Sequence, residues 1–435
     1  MWQTPRMRRV VWMGVAGALA IVIAVSCGGD PGASVAPATS TTPPLDAAAP
    51  PPPAPRGDAG TDAGPKPPPF HCTRKNESPR FRVEQVVGPE PNLFAPWAMV
   101  FLPNGDMLFT ERGTCTEPTC SKAPYTPGRV RRIAGGKLLP DPVPGAPASV
   151  AGAQGGMLDL RLHPDFATNA WIYISYVAMI DGAAQPDVTT SRAVRVSRFT
   201  WNNGRLEDPR PIFAGELSHP IDDHFGGRMV FGADGKLYVT LGDRHLYFHP
   251  QDRKFLHGKV IRLEDDGAIP KDNPFVGQPD ARPEVFTYGH RNGQGLAVQP
   301  VTGNLFQTEH GNEGGDEINL LRAGHNYGYP LHEHYETEPG MDPPVKEYTP
   351  SIAPSGAVFY NSNLFRGWCD SLFVAGLGSH SITRILFDGA KFVEDERILR
   401  HDMRIRSVTQ SPEGYLYFCE DEIVTARIFR IVPDP

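Results

Sequence analysis

A repeated unit of a turn followed by a short β-rich run is the feature that most restricts how this chain can fold. Its Asn-Gly, Asp-Gly and Glu-Gly pairs tolerate the positive φ angles of tight hairpins, and the adjoining Leu, Phe, Tyr and Val suit pleated strands. The first four intervals between successive copies are roughly 60 to 70 residues, a spacing that fits four-stranded blades with long loops. The copies are residues 102–113, 163–176, 232–243, 300–311 and 411–422, with a degenerate copy at 371–378. We therefore predict an all-β fold, a six-bladed β-propeller.

Helical signals are scarce, because no long stretch keeps a 3.6-residue apolar period and glycine and proline are frequent. A β-sandwich is the rival all-β fold, but it does not explain a repeated unit of this length. Propellers normally close by pairing strands from the two ends of the chain. We therefore expect residues 81–87 to join the blade that contains residues 427–432.

The N-terminus has the layout of a bacterial secretory signal. Three arginines precede an uncharged apolar run, Val10–Val25, which small residues and Cys27 follow. A membrane-spanning anchor needs about 20 apolar residues, and this run is shorter. Residues 24–27, Ala-Val-Ser-Cys, resemble a lipobox, so we predict that residues 1–26 are removed and that Cys27 is lipid-modified. The protein would then be a periplasmic or surface lipoprotein of the bacterial cell envelope, with this lipid as its one membrane contact.

Residues 27–70 are dominated by Pro, Ala, Gly, Ser and Thr and offer little to bury, so we predict a disordered spacer. The propeller would occupy residues 71–435. Since residues 1–26 hold three arginines and no acidic residue, their removal lowers the net charge from −7 by three, to −10. That sign argues against nucleic acid as a partner, because phosphate binding needs positive charge.

Five cysteines follow Cys27, an odd number in a compartment that permits disulfides. At least one of them stays unpaired or pairs outside the chain. We expect Cys115 to pair with Cys120, and Cys369 with Cys419 as a second pair. A zinc site is a weaker interpretation, because no CxxC spacing occurs.

Two polar segments could carry acid–base chemistry or bind a ligand. In residues 219–231, His224 follows two carboxylates and precedes two glycines, so its imidazole could act as a base at a loop tip. Taken alone, a surface histidine is the simpler interpretation. In residues 287–297, Arg291 and Asn292 lie between glycines and suit an anionic or carbonyl-bearing ligand.

Two further segments indicate charged ligands. Residues 308–330 combine acids, glycines and exposed carbonyls, a donor set that suits Ca²⁺, although solvated acidic turns are an alternative. On a strand, Arg404 and Arg406 project from one face while Ile405 points to the other. The two arginines would repel unless an anion lay between them, and a polycarboxylate would satisfy both.

The order of these segments resembles that of the aldose sugar dehydrogenases that depend on pyrroloquinoline quinone (PQQ), within the glucose and sorbosone dehydrogenase family. The similarity extends through most of residues 81–435. Its most specific motifs are DHFGGR, DNPF, GHRNGQG and DEINLLRAGHNYGYP.

This resemblance implies a role for each matching residue. His224 would be the general base, with Asp223 beside it and Gln154 also at the reacting centre. The matching cofactor contacts are Arg291, Asn292, His310, Ser351, Arg404 and Arg406. Gly311 and Asn312 would offer carbonyls to a Ca²⁺ that also contacts PQQ, and Glu317 and Tyr327 match a second, structural Ca²⁺ site.

The chain departs from the family pattern at three positions. Thr349 stands where family enzymes often have a tryptophan, and a lysine that contacts the quinone is replaced near Gly378. His310 stands where the best-known glucose enzymes have glutamine.

The implied reaction is the oxidation of an aldose at its anomeric carbon to the lactone, with hydride transfer to PQQ and His224 as base. Ca²⁺ and Arg291 would stabilise the developing oxyanion, and an unidentified acceptor would take the electrons. A non-catalytic propeller that binds a protein or a glycan, like the related fold in hedgehog-interacting protein, is the alternative. A zinc hydrolase that uses His245, His249 and His257 is a third and weaker hypothesis.

Overall fold

The structure is a computed structural model that describes residues 72–73, 79–88, 93–115, 125–179, 191–218, 223–423 and 425–434. The predicted signal, the lipidation site, the whole spacer and the side chains of the proposed Cys115–Cys120 pair lie outside the described residues. Within them, no helix is long and apolar enough to cross a membrane.

Nearly all regular structure in the described residues is β-strand. One short α-helix, α1, covers Phe166–Asn169, and one 3₁₀ turn covers Arg366–Trp368. The strands in chain order are β1 (Phe81–Val87), β2 (Pro96–Phe101), β3 (Met107–Glu111), β4 (Thr114–Cys115), β5 (Tyr125–Thr126), β6 (Arg129–Ala134), β7 (Lys137–Leu138), β8 (Met157–Leu162), β9 (Trp171–Met179), β10 (Arg192–Asn202), β11 (Arg205–Ala214), β12 (Gly226–Phe231), β13 (Leu237–Leu241), β14 (Lys259–Leu263), β15 (Val285–Tyr288), β16 (Gly293–Val298), β17 (Leu305–Glu309), β18 (Asp316–Leu321), β19 (Lys346–Tyr348), β20 (Pro354–Phe359), β21 (Leu372–Gly376), β22 (Ser381–Asp388), β23 (Lys391–Arg400), β24 (Ile405–Gln410), β25 (Leu416–Glu420) and β26 (Ile428–Pro433).

These strands form six four-stranded antiparallel sheets, which we number as blades in chain order, so the predicted six-bladed propeller is confirmed. Blade 1 is β2-β3-β6-β7, with the small β4-β5 hairpin inserted, and blades 2 to 5 are β8 to β11, β12 to β15, β16 to β19 and β20 to β23. Blade 6 joins β24, β25 and β26 to β1. β1 pairs antiparallel with β26, from Phe81 opposite Pro433 to Val87 opposite Ile428, as the closure prediction required.

The sequence repeat corresponds to one fixed part of each blade, the second strand and the turn before it. In blades 1, 3, 4 and 6 the turn glycines, Gly105, Gly235, Gly303 and Gly414, all have positive φ. In blade 3, for example, the Gly235 amide donates to the Gly232 carbonyl at 3.0 Å before β13 begins. The local turn chemistry therefore sets the blade period.

The apolar core lies between the blades. Six clusters of buried residues each pack mainly one sheet against the next. Between blades 3 and 4, for example, Tyr238 and Phe286 pack with Leu296 and Leu305. The six innermost strands (β2, β8, β12, β16, β20 and β24) contact their neighbours around a closed ring. This packing between blades fixes the positions of the inner strands.

A disulfide joins Cys72 to Cys369, which lies just after the 3₁₀ turn. The expected Cys369–Cys419 pair is therefore wrong. Cys419 is a free, fully buried thiol on β25, and its Sγ lies 3.5 Å from the Pro96 carbonyl. Cys369 is already bonded to Cys72, and Cys419 packs with Met99 and Phe109 in the apolar cluster between blades 6 and 1.

Candidate active site

A polar cavity of about 210 Å³ opens where the inner strands begin. It is built by the segments that enter the inner strands and by the ends of second strands. The lining residues are Trp97, Arg112, Ala153, Gln154, Phe225, Gly226, Asn292, Gln294, His310, Leu377, Arg404, Arg406 and Asp421. Of the predicted site residues, five line this cavity: Gln154, Asn292, His310, Arg404 and Arg406.

His224 is buried at the edge of this cavity, directly before Phe225 and Gly226. Its Nδ1 lies 2.7 Å from Oδ1 of Asp243, the residue that follows β13 by two positions. Burial alone would raise the pKa of Asp243, but the hydrogen bond and charge interaction with His224 lower it overall. A carboxylate on Nδ1 selects the tautomer with a proton there. The Nε2 atom, which bonds to no described residue, is then the basic nitrogen.

The backbone around His224 is held in an unusual conformation. His224 has φ +51°, in the left-handed region that non-glycine residues rarely adopt. A Cβ on Gly242 would lie 1.9 Å from the His224 carbonyl oxygen, so that position accepts only glycine. Gly226 and Gly227 also have positive φ, and a Cβ on Gly227 would lie 2.4 Å from Leu158 Cδ1. Glycine at these two positions lets the neighbouring chain approach closely.

Asp223 does not have the expected role beside the base. Its carboxylate Oδ2 lies 3.9 Å from Nε2 of His245, and Asp243 takes the position at the His224 ring. Asp223 is therefore beside His224 in the chain, but the carboxylate that contacts the His224 ring is that of Asp243. Adjacent residues point apart here, because the chain turns sharply at His224.

Gln154 lines the cavity and contacts the main chain of His224. Its Oε1 accepts a hydrogen bond from the backbone amide of His224 at 3.1 Å. This contact joins the loop before blade 2 to the entrance of blade 3. Gln154 therefore helps to fix the backbone from which the imidazole projects.

Arg291 and Asn292 immediately precede β16. The Arg291 amide donates to Glu309, and its Nη1 donates to the His310 carbonyl at 3.3 Å. Its Nε is buried and has no hydrogen-bond partner among the described residues. Asn292 Oδ1 accepts from the Gly226 amide at 3.3 Å. Arg291 therefore retains an unsatisfied donor, the kind of group that an anionic ligand satisfies.

Arg404 and Arg406 are held together by a carboxylate of the protein itself, Asp421. Arg406 binds Asp421 through two nitrogens, at 3.0 and 2.8 Å, and Arg404 contributes one weaker contact at 3.3 Å. Burial would raise the pKa of Asp421, but the charges of Arg406 and Arg112 hold it well below its usual range. Arg406 is buried, whereas the Arg404 side chain is 46% exposed. Arg404 is therefore the arginine with more freedom to meet a ligand.

The buried Arg228 connects the inner strands around Arg406 and Trp97. Its guanidinium donates to the carbonyls of Gln294 at 2.6 Å and of Trp97 and Arg406 at 3.3 Å each. It also lies 3.6 Å from the centroid of the Trp97 ring. One side chain therefore ties together the inner strands of blades 1, 3, 4 and 6.

Of the two remaining residues predicted to contact the cofactor, His310 lines the cavity and Ser351 does not. His310 lines the cavity, and its Nε2 lies 2.8 Å from the Pro354 carbonyl; burial lowers its pKa to about 4, so the ring is neutral. Ser351 is exposed, does not line the cavity, and donates its hydroxyl to Asp316 at 2.6 Å. The prediction that Ser351 is a cofactor contact is thus not met in this structure. Thr349 also lies outside the lining, where its Oγ1 accepts from the Gly315 amide at 2.9 Å.

The predicted calcium ligands lie in and after a tight turn that begins at Gly311. A Cβ on Gly311 would lie 1.9 Å from the Gly314 carbonyl oxygen and 2.5 Å from that of Gly315, so carbonyls crowd this turn. Asn312 is exposed at the same turn. Burial, then the nearby Glu309, raises the pKa of Glu317 well above its usual value.

The Tyr327 hydroxyl is not a metal ligand in this structure. It donates to the Leu320 carbonyl at 2.6 Å and accepts from the Arg322 amide at 2.9 Å.

The histidines of the zinc hypothesis do not form a metal site. His249 and His257 approach through their Nδ1 atoms at 3.1 Å, while His245 stacks on His224. In the described part of the chain, the one converging group of three metal-binding side chains is His401, Asp402 and Glu420. Arg427 bridges both carboxylates of that group, so an internal cation already balances their charge.

The site residues that sequence reasoning missed share one signal. Asp243, Glu309 and Asp421 lie at the ends of second strands, where the repeat closes with an acidic residue. Asp243 binds His224, Glu309 binds the amide of Arg291, and Asp421 binds Arg406. The acidic end of the repeat was visible in the sequence, but which basic group each acid meets depends on the ring geometry.

Comparisons with known proteins agree with this architecture. The sequence profile described as Glucose / Sorbosone dehydrogenase matches residues 93–430. The aldose sugar dehydrogenase of Escherichia coli is 38% identical over 342 residues, which cover 75% of this chain and 87% of that protein. Quinoprotein glucose dehydrogenase B of Acinetobacter calcoaceticus is 28% identical over 424 residues, covering 75% and 83%. A PQQ-bound aldose sugar dehydrogenase structure from Streptomyces coelicolor gives a TM-score of 0.66 at 26% identity, covering 82% of this chain and 100% of that one.

Proposed function

Because the chain belongs to the glucose/sorbosone dehydrogenase family, a family of sugar dehydrogenases, we propose that it oxidises an aldose at its anomeric carbon to the lactone with PQQ as cofactor. The observation that carries this proposal is the His224–Asp243 pair, which lies beside a cavity lined by arginines. A propeller that only binds a partner has no need for a buried, carboxylate-oriented base at this position.

The residues of the cavity fit a polycarboxylate cofactor. Arg112, Arg404 and Arg406 line it, and Asp421 is the one carboxylate in the lining. Arg291, beside the cavity residue Asn292, also has its buried Nε without a partner among the described residues. Positive charge therefore exceeds negative charge around the cavity, and carboxylate oxygens of PQQ would balance it. When bound, PQQ would supply the two-electron oxidant for the sugar.

The chain's own part in the reaction is proton transfer and orientation. His224 Nε2 would accept the proton of the anomeric hydroxyl while the hydrogen on the anomeric carbon leaves as hydride. Asp243 holds the imidazole through Nδ1 and stabilises the charge that the ring acquires. Gln154 fixes the His224 backbone, and the donors of Arg291 would stabilise negative charge in the cavity.

The turn at Gly311 and the buried Glu317 support a proposal that the enzyme also needs Ca²⁺. Both offer oxygen donors, and a divalent cation would offset the repulsion between Glu317 and Glu309. We expect Ca²⁺ to raise the melting temperature and EGTA to reverse the effect. Stabilisation by Zn²⁺ alone would contradict the assignment.

The proposed setting is the bacterial cell envelope, with the mature chain anchored through a lipid on Cys27. The support is the signal-like layout of residues 1–26 and the lipobox-like residues 24–27. Mass spectrometry of the mature N-terminus tests it. An unmodified Cys27, or retention of residues 1–26, would contradict it.

Reconstitution of the purified protein with PQQ and Ca²⁺, followed by a sugar panel with a dye acceptor, tests the function. We expect His224→Ala to lower the oxidation rate by about 10² to 10⁴-fold while PQQ binding by calorimetry and folding are retained. His249→Ala is a matched control, because its ring stacks on Phe255 away from Asp243. Wild-type protein that binds no PQQ in the presence of Ca²⁺ would refute the proposal and favour a non-catalytic propeller.

A further inference from the structure

A second imidazole covers one face of the proposed base. The ring of His245 stacks on the ring of His224, with centroids 4.0 Å apart and planes inclined by 24°. Two imidazole rings at this distance repel if both are charged. Burial, then the charge of His224, lowers the pKa of His245. A neutral ring at His245 is therefore favoured beside His224.

The turn that presents His245 is strained. Arg244 and His245 have φ +54° and +58°, so two consecutive residues with side chains adopt the left-handed conformation. With His224, three such residues lie around one carboxylate, that of Asp243. Strain of this kind persists only where the surrounding structure imposes it, and it concentrates at functional sites.

Arg244 is the anchor that imposes this conformation. Its Nε donates to Ser218 Oγ at 2.9 Å, its Nη1 donates to the Asp223 carbonyl, and its guanidinium lies 3.7 Å from the centroid of the Phe225 ring. These contacts fix the residue directly before His245 against the segment that carries His224.

The carboxylate of Asp243 ties the two histidines to each other. Its Oδ1 accepts from the His245 backbone amide at 3.1 Å and from His224 Nδ1 at 2.7 Å. The position of the His245 ring is therefore coupled to the same oxygen that orients the base. On the solvent side, His245 Nε2 lies 3.9 Å from Asp223.

We propose that His245 is a positioning residue for the base. Its ring covers one face of His224 and keeps water away from the hydrogen bond between His224 and Asp243. The stacked ring also holds the plane of the His224 imidazole, so that Nε2 points in a fixed direction. The role in turnover rests on the proposed function, in which His224 is the base. The shielding of the hydrogen bond is a property of the folded protein alone.

Three variants test this proposal. His245→Ala removes the stacked ring, and His245→Phe keeps an aromatic ring that cannot titrate. Phe248→Ala alters the same loop at a side chain that is 89% exposed. The first readout is the solvent-exchange rate of the His224 Nδ1 proton, measured by NMR on the full protein without substrate. The second is kcat and KM for sugar in the reconstituted enzyme.

We expect His245→Ala to speed this proton exchange and to lower kcat by about tenfold, with KM changed less than about threefold. His245→Phe should restore both values, and Phe248→Ala should leave both unchanged. Unaltered exchange in His245→Ala, or no restoration in a folded His245→Phe, would overturn the proposal. If the wild-type protein oxidises no sugar but the exchange of the His224 Nδ1 proton still depends on the His245 ring, the shielding is supported and only the proposed function is refuted.

Discussion

Replacing Asp243 by Asn should separate two effects of this residue on His224, namely the negative charge that it places beside the imidazole and the hydrogen bond that orients the ring. Oδ1 of Asp243 accepts both hydrogen bonds, from His224 Nδ1 and from the His245 amide, so the amide oxygen of Asn can accept the same two. Oδ2 is buried and has no partner among the described residues. The Asp243→Asn variant would then hold the imidazole in place but would no longer carry the negative charge that stabilises the protonated ring.

The expected loss of activity follows from the short distance between Asp243 and His224 and from the burial of both residues. A hydrogen bond to a charged group exceeds a neutral one by about 1 kcal/mol, and the attraction of unit charges at about 4 Å near a protein surface is about 4 kcal/mol. A loss of about 2 to 4 kcal/mol in the transition state corresponds to a fall in kcat of about 30- to 10³-fold. The amide nitrogen at the unpartnered Oδ2 position would also lower the free energy of unfolding by about 1 to 3 kcal/mol.

Steady-state kinetics of the reconstituted enzyme measures the effect, and a melting curve checks folding. Asp223→Asn is the matched control, since its carboxylate is partly exposed and its one ion pair with a described residue is that with His245 at 3.9 Å. We expect this variant to change kcat less than about threefold. In the His224→Ala background, Asp243→Asn should cause no further loss. If Asp223→Asn were the damaging variant and Asp243→Asn retained most activity, the assignment of the orienting carboxylate would be wrong.

Three further predictions concern the arginine pair, the disulfide and acid stability. Arg404→Ala should raise the PQQ dissociation constant about tenfold by calorimetry without a change in melting temperature. Arg406→Ala should also lower the free energy of unfolding by about 3 to 5 kcal/mol, because it removes both hydrogen bonds from Arg406 to the buried Asp421. Equal effects of the two variants would contradict this distinction. Replacing both Cys72 and Cys369 by Ser should cost about 2 to 5 kcal/mol in urea unfolding, since the bridge closes a separation of 297 residues. Because the pKa values of Asp243 and Asp421 are lowered in the folded state, their contribution to stability is complete above about pH 4 to 5 and is lost as the pH falls further. Asp421→Asn should therefore make the melting temperature depend less steeply on pH. An unchanged pH dependence of the melting temperature would show that Asp421 does not contribute to acid stability.

Local chemistry made the blade pattern predictable from the sequence. In blades 1, 3, 4 and 6 the repeat is a turn whose glycine takes a positive φ followed by a strand of five residues. Both depend on residues close together in the chain. The pairing of β1 with β26 was also predictable, because a ring of blades has to close with its two ends. The positions of His224, Arg291, Asn292 and the Arg404–Arg406 pair followed from their motifs.

The partners of these residues were decided only by the tertiary structure. Asp223 is adjacent to His224 in sequence, yet Asp243 holds the imidazole, because the left-handed turn at His224 separates neighbours and β13 returns Asp243 to the same point. The anion expected between Arg404 and Arg406 is supplied by Asp421, from the end of the neighbouring strand β25. Cys369 forms a disulfide with Cys72, which is 297 residues away in the sequence. The sequence shows which side chains are able to pair. The distances between side chains on different blades depend on how the ring of blades closes, and the packing between the blades fixes that closure.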